Sequence, residues 1–340
     1  MRNIRILALM HEGMVPPKDV SGCDITTVDW KMEYDVISTL EETGHEVHRL
    51  GVSSDLGAIR KAIHSFDPHI VFNLLEDFDD MAIYDQNVVS YLELIHMPYT
   101  GCNPRGLMLA RDKAISKELL TYHRVSVPDF AVFRRGKAIR KPKKLSFPLI
   151  VKSLILEGSA GISQASVVSD EERLKERVEF IHHQFETDAI VERYIEGREF
   201  YVGVIGNRRL QVFPVWELSF TKRVGEVRPI ATGRVKWNTQ YQKRHGVTTG
   251  EAKDLPEGKR EAIQHLCKRV YRILGLSGYA RLDLRLDPDG KIYVLEANPN
   301  PQLAYGEDFA ESAELAGLSY EALMQRIISL GRRWESERYR

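Results

Sequence analysis

The 340-residue chain has only three cysteines, Cys23, Cys102 and Cys267. They are too few and too far apart for a disulfide framework or a zinc-ligand spacing, which points to a reducing cytoplasm. There is no surplus of either charge: 48 basic residues stand against 48 acidic ones. No overall field therefore draws the chain to nucleic acid or to an anionic membrane. No apolar stretch approaches the roughly 20 residues of a membrane span. The opening MRNIRILALMHEG contains a short apolar run stopped by His11 and Glu12, which reads as a first strand rather than a signal peptide. Solenoid-period repeats and low-complexity tails are also missing. What remains is a globular chain, long enough for two or three domains around a sizeable core.

The first hundred residues alternate strand and helix. IRILALM, HEVHRLGV and HIVFNLL read as strands, separated by the amphipathic helices DWKMEYDVISTLEETG and LGAIRKAIHSF. YDQNVVSYLELIHM reads as a third helix and PYTG as a short strand. Such βαβ alternation implies a doubly wound parallel sheet, in which ligands sit beyond the carboxyl ends of the strands. HEGMVPP and EDFDD, which follow the first and third strands, are site candidates on that ground. From Asn103 the texture becomes α+β and antiparallel. A helix pair, PRGLMLARDKAISKELLTYHR, is followed by a basic surface stretch and then by strands in FPLIVKS, AIVERYIEGREFYVGVIGN and RLQVFPVWELSF. Helices DEERLKERVEFIHHQF, KREAIQHLCKRVYRILG and SYEALMQRIISLGRR complete the pass.

The segment RLDLRLDPDGKIYVLEANPNPQL carries the most chemistry. Asp287-Pro288-Asp289-Gly290 is a turn signal, because Pro presets one turn angle and Gly tolerates positive φ. Folding there sets residue 286 opposite 291, 284 opposite 293 and 282 opposite 295. One face then holds Leu282, Leu284, Leu286, Tyr293, Leu295 and Ala297. The other holds Arg281, Asp283, Glu296 and Asn298, with Ile292 and Val294 between them. Two carboxylates and a carbonyl oxygen in a small volume suit Mg²⁺, a hard cation that prefers oxygen ligands. The same pattern also describes a solvated sheet face with paired charges.

Three further places stand out. Lys152 ends an apolar strand, where a buried ammonium needs an anionic partner. The small residues of EGSAGIS follow, and they let backbone N–H groups approach a phosphate, although a plain turn has the same composition. The Walker pattern GxxxxGK[ST] is absent. In VERYIEGREF, Glu192 and Glu199 flank a turn at Gly197, spaced to hold an adenine amino group and ribose hydroxyls or to pair with Arg193 and Arg198.

Taken in order, these stretches resemble the ATP-grasp superfamily, in its D-alanine–D-alanine ligase-like branch. The matching runs are PYTG, LARDK, FPLIVK, EGSAGIS, VERYIEGREF, RVKW, GYARLDLR and VLEANPNP, and together they span nearly the whole chain. The resemblance implies an N-terminal doubly wound α/β domain over residues 1–102. Two α+β subdomains, 103–190 and 191–340, would then clasp ATP between them. It implies that Lys113 and Lys152 contact the phosphates, less securely joined by Lys236, and that Ser159 and Gly161 belong to a loop closing over them. Glu192 would accept from the adenine amino group, the Ile195 backbone would line the hinge, and Glu199 would bind the ribose. Asp283, Glu296 and Asn298 would hold two Mg²⁺ ions, or Mn²⁺, against the triphosphate. Arg281 would stabilise the transferred phosphoryl group. The implied reaction joins a small-molecule carboxylate to an amine through an acyl phosphate, releasing ADP and phosphate, and the implied assembly is a homodimer.

The amino-acid half departs from the family pattern. After the first strand MHEGMVPP keeps only Glu12 as a counterpart of the family's glutamate, NLLEDFDD replaces a histidine-glycine pair, and NPNPQLAYGED follows the metal-binding Asn298. A substrate pair other than two D-alanines is therefore expected. The replacements share a sign: Glu76, Asp77, Asp79, Asp80, Glu307 and Asp308 would make the cleft acidic, which suits a cationic nucleophile, although solvated loops also carry such charge. D-alanine–D-alanine ligation itself, a non-catalytic ATP-binding regulator and a small-molecule kinase remain the alternatives.

Overall fold

The structure is a computed structural model that describes residues 3–335 apart from 157–160, 223–227, 234, 236 and 237. Strands β1 (Arg5–His11), β2 (Glu46–Val52) and β3 (Ile70–Asn73) form a parallel sheet in the order β2-β1-β3. PYTG contributes only an isolated bridge, Val71 to Tyr99, at its edge. Helices α1 (Lys31–Glu42), α2 (Leu56–Phe66) and α3 (Asp85–Leu94) connect these strands. Alternate β1 residues face opposite cores: Leu7 and Leu9 join Ile59, Val88 and Leu92 on one side, while Ile6, Ala8 and Met10 meet Val36, Ile37 and Leu40 on the other. Burial on both faces is what makes RILALMH read as a continuous apolar run.

Helices α4 (Pro104–Arg111) and α5 (Lys113–Tyr122) follow. The Asp112 side chain caps α5 by accepting from the Ala114 and Ile115 N–H groups, both at 2.9 Å. That cap fixes Lys113 as the first residue of the helix. The second sheet is four-stranded and antiparallel, in the order β4-β7-β5-β6, from β4 (Phe130–Phe133), β5 (Leu149–Ser153), β6 (Val167–Val168) and β7 (Ala189–Arg193). Helix α6 (Glu171–Gln184) covers one face with Leu174, Val178 and Ile181. The expected boundary after residue 190 falls inside β7, which pairs with β4 and β5 along its length.

The third sheet runs β11-β10-β8-β12-β13, with β9 paired to β8. Its strands are β8 (Arg198–Ile205), β9 (Gln211–Val212), β10 (Trp216–Phe220), β11 (Val247–Glu251), β12 (Tyr279–Leu286) and β13 (Ile292–Pro299). Gly197 makes the step from β7 to β8 possible. It has φ +133°, and a Cβ there would lie 2.0 Å from the Leu286 carbonyl oxygen. Helices α7 (Thr239–His245), α8 (Lys259–Ile273), α9 (Asp308–Leu315) and α10 (Tyr320–Arg332) complete the chain. Of these, α10 returns to the first sheet, where Leu323, Met324, Ile327 and Ile328 seal the face that carries Ile6 and Met10. The α/β-plus-α+β class expected from the sequence is the architecture observed. Among the described residues, no helix is long and apolar enough to cross a membrane.

Candidate nucleotide and metal site

The β12–β13 hairpin departs from simple antiparallel register. Leu286 pairs with Ile292, Arg285 with Tyr293 and Leu284 with Val294, after which Asp283 pairs with Glu296 and Arg281 with Asn298. Leu295 is the extra residue of a β-bulge. The expected face assignment is thereby corrected: Ile292 and Val294 pack into the core with Leu284, whereas Leu295 lines the cleft and Tyr293 reaches Arg193. Beyond the bulge Glu296 and Asn298 share a face with Asp283 and Arg281, and Asp283 lies directly opposite Glu296 rather than on the diagonal.

That polar face forms one wall of an open cleft between the second and third sheets. Lys152, Glu192, Ile195, Glu199, Asp283 and Glu296 all line it. The structure thus gathers into one volume residues that lie up to 144 positions apart in sequence. Apolar Ile150, Ile162 and Ile230 supply the surface against which a flat ring can stack.

At the inner end Lys152 finds the anionic partner its position demands. Its Nζ lies 3.2 Å from Glu192 Oε2, while Lys117 Nζ lies 3.3 Å from Oε1 of the same carboxylate. All three side chains are buried. Burial opposes ionisation of Glu192, but the two ammonium groups outweigh it and hold the carboxyl below its usual range. Burial lowers Lys117, whereas Lys152, also opposed by burial, is raised by Glu192 and Glu296. An adenine amino group at Glu192 would therefore share an acceptor already engaged by two cations. Lys117 was not singled out in the sequence, yet it sits one helical turn from Lys113, a spacing that places both on one face of α5.

Lys113 itself is buried, and its Nζ donates to the Leu156 carbonyl at 2.6 Å. It therefore stands at the entrance to EGSAGIS rather than in solvent. Gly161 has φ +69°, a Cβ there would meet the Phe185 ring at 2.6 Å, and its carbonyl accepts from Arg177 on α6. Ser159 and Lys236 lie outside the described residues.

The outer end of the cleft is organised by two arginines. Arg285, on the cleft face of β12 by the period-2 rule, has its Nη2 2.6 Å from Glu199 Oε2 and donates through Nη1 to the Ile195 carbonyl at 2.6 Å. Tyr201 donates to Glu199 Oε1 at 3.0 Å. Glu199 and the connector backbone are thus held rigidly by Arg285, a role the sequence reading missed. Arg281 donates to both Asp283 oxygens, at 2.8 and 3.0 Å, with its guanidinium 4.7 Å from the Tyr201 ring centre. Burial opposes its charge, but Asp283 raises its pKa further.

The donor set suits a hard divalent cation. It offers two laddered carboxylates, Asp283 and Glu296, and the amide oxygen of Asn298 beside them. Among the described residues, no group of three His, Cys, Asp or Glu side chains could hold a metal alone. That fits an ion which takes further oxygens from a triphosphate.

The segment after β13 is tied to the helices of the first sheet. Lys31 Nζ donates to the Tyr305 carbonyl at 2.7 Å, and Tyr305 N–H to Asp35 at 2.9 Å, which binds NPNPQLAYGED to α1. Asp308 acts electrostatically on Arg281. Glu76 acts on Glu33, whose carboxyl is pushed up to about 7, chiefly by burial. Asp77 has a buried Oδ1 without a hydrogen bond, 3.9 Å from His11 Nε2, whereas Asp79 and Asp80 are exposed. Glu12 is also exposed, in the turn after β1 that packs on Gly51. Of the acidic set, Glu76, Asp79 and Asp80 are exposed, Asp77, Glu307 and Asp308 are half-buried, and none lines the cleft.

The buried Glu33 on α1 allows a direct check of this region. Its folded pKa exceeds the value of about 4.3 for a free carboxyl, so the folded state loses stability as pH rises from about 4 to 7. Glu33→Gln should match the parent chain near pH 4 and be more stable by about 3–4 kcal/mol at pH 8. Thermal melts at the two pH values decide it, and equal melting at pH 8 would contradict the buried-carboxylate picture.

An antiparallel sheet facing a second sheet across a lysine- and carboxylate-lined cleft, behind a parallel α/β unit, defines an ATP-grasp protein. The family model described as "D-ala D-ala ligase C-terminus" matches residues 119–329, over half of the chain, and the chain belongs to this family of ADP-forming carbon–nitrogen ligases. Protein y4sG of Sinorhizobium fredii is 31% identical over 305 residues, covering 88% of this chain and 86% of its own. A D-alanine–D-alanine ligase of Desulforudis audaxviator is 28% identical over 303 residues, covering 87% and 90%. The crystal structure of D-alanine–D-alanine ligase from Bacillus anthracis complexed with ATP superposes with a TM-score of 0.74 at 22% identity, covering 97% of this chain and 98% of that one.

Proposed function

We propose that this ATP-dependent carboxylate–amine ligase acts on an amine substrate that carries positive charge. The observation that carries the nucleotide part is the convergence of Lys152, Glu192, Glu199, Asp283 and Glu296 on one cleft. Adenine stacks between the isoleucines near Glu192 and the connector, the ribose meets Glu199, and the phosphates run toward Lys113, Lys152 and the 157–163 loop. Asp283, Glu296 and Asn298 would hold Mg²⁺, and the ion would supply neutralisation of the phosphate charge. A substrate carboxylate oxygen forms a bond to the γ-phosphorus as the bond to ADP breaks, giving an acyl phosphate. The amine nitrogen then adds to the acyl carbon, and the tetrahedral intermediate expels phosphate and loses a proton. Arg281, next to Asp283, stabilises negative charge in both steps. The loop that carries Ser159 would exclude water from the acyl phosphate, and Glu12 would take the part of the family's glutamate after the first strand. A homodimer formed through the N-terminal domain, in the cytoplasm, completes the proposal.

The reading of positive charge on the amine rests on the acidity of the loop after β3, where Glu76 is exposed and Asp77 keeps a buried Oδ1 without a hydrogen bond. The test is ADP release over pairs of carboxylates and amines, D-alanine included, with the product identified as the sum of the substrates less water. Glu76→Gln with Asp77→Asn should raise KM for a basic amine roughly tenfold, the scale of one lost ion pair near a protein surface, and leave neutral amines unchanged. An unchanged KM for every basic amine sinks the substrate-class part. ATP binding without ADP release for any pair supports a regulator, and a stable phosphorylated product supports a kinase.

A further inference from the structure

We infer that Lys117 is a positioning residue for the divalent-cation ligands, acting through the β13 bulge. The inference rests on the reading of Asp283, Glu296 and Asn298 as those ligands.

Side chains of a regular strand alternate between its faces. On β13 Ile292 and Val294 point to the core, so uninterrupted alternation would send residues 296 and 298 to the core as well. The single inserted residue, Leu295, reverses the parity and turns Glu296 and Asn298 onto the face of Arg281 and Asp283. Presentation of the ligands therefore depends on one irregularity, which must be held against relaxation to regular pairing.

Lys117 holds it. Its Nζ donates to the carbonyl of Leu295, the bulged residue itself, at 2.5 Å. The ammonium also lies 3.3 Å from Glu192 Oε1, and its side chain is 1% exposed. A buried charge is tolerated only when paired and hydrogen-bonded, and these two partners satisfy that condition. The partners come from different sheets: Glu192 is in β7 and Leu295 in β13. One ammonium on α5 thus ties the carboxylate at the inner end of the cleft to the strand presenting Glu296 and Asn298. This arrangement is distinct from phosphate binding, the role implied for Lys113 and Lys152, because Lys117 is not among the residues lining the cleft.

The test measures Mn²⁺ binding by electron paramagnetic resonance in the presence of saturating ATP, and ATP binding in the presence of a chelator. Lys117→Met keeps the length and apolar body of the side chain but removes the donor and the charge. It should weaken Mn²⁺ binding to the protein–ATP complex at least tenfold while changing metal-free ATP binding less than threefold. A purely structural role would loosen both to the same degree, and that result overturns the inference, as does Mn²⁺ binding equal to wild type. Should the Met chain not fold, Lys117→Gln must show the same split, because its shorter side chain loses both the charge and the reach to Leu295. Wild type and Glu296→Gln are measured alongside. If wild type holds Mn²⁺ no more tightly than free ATP does, the cation reading fails and this inference with it. If wild type binds Mn²⁺, Glu296→Gln does not and Lys117→Met matches wild type, only the role of Lys117 fails.

Discussion

Glu296→Gln should lower the rate of ADP release by roughly 10³-fold, with little change in melting temperature, once an active substrate pair is known. The substitution keeps the shape of the side chain and removes one negative charge from the pair facing the triphosphate. In phosphoryl transfer nearly all of the barrier reduction comes from positioning and charge neutralisation, so a lost metal carboxylate acts mainly on the rate. Asp283→Asn should be at least as inactive but less informative by itself, because Arg281 donates to both Asp283 oxygens. Removing one partner of a buried pair leaves the other uncompensated, at a cost of about 3–5 kcal/mol when burial is complete. The Asp283 variant should therefore also melt earlier, and the difference between the two variants separates catalysis from folding. Retention of more than a tenth of wild-type activity by Glu296→Gln would falsify the assignment of the cation site.

Much of this site was legible because its residues obey local rules. Period-2 spacing put Arg281 and Asp283 on one face of a strand, and Lys152, at the end of an apolar strand, required a buried anion, which is Glu192. What was not legible depends on irregularity and on contacts between distant segments. The Leu295 bulge leaves no composition signal, yet it exchanges the faces of Val294 and Leu295. The sequence placed Glu296 and Asn298 on the correct face with the wrong alternation before them. Lys117 and Arg285 were missed for a related reason: each is an ordinary basic residue whose role exists only in its partners, the Leu295 and Ile195 carbonyls. The same holds for α10, whose apolar stripe was clear but whose return to the first sheet was not, and for β7, where a boundary drawn from texture divided a strand.

Glu192→Gln should be the most destabilising single substitution in the cleft at neutral pH, by about 3–5 kcal/mol, lowering the melting temperature by about 10 °C. Two buried ammonium groups, Lys117 and Lys152, now share this carboxylate as an ion-pair partner. Without it one of them must lose its proton or be exposed. The pH dependence follows from the directions of the shifts. Glu192 is held below the free carboxyl value, so its contribution is fully present above about pH 4.3 and is lost as pH falls through its depressed folded pKa. Lys117 is already lowered by burial, and deprotonating it in the variant costs less as pH rises toward the free lysine value of about 10.4. The gap between wild type and variant should therefore be widest between about pH 5 and 8 and narrow on both sides. Melts at pH 4, 7 and 9.5 test it, and a gap that widens at pH 4 would place the depressed carboxylate elsewhere. Metal-free ATP should bind the variant more weakly at pH 7, because Glu192 lines the cleft as well as contributing to stability.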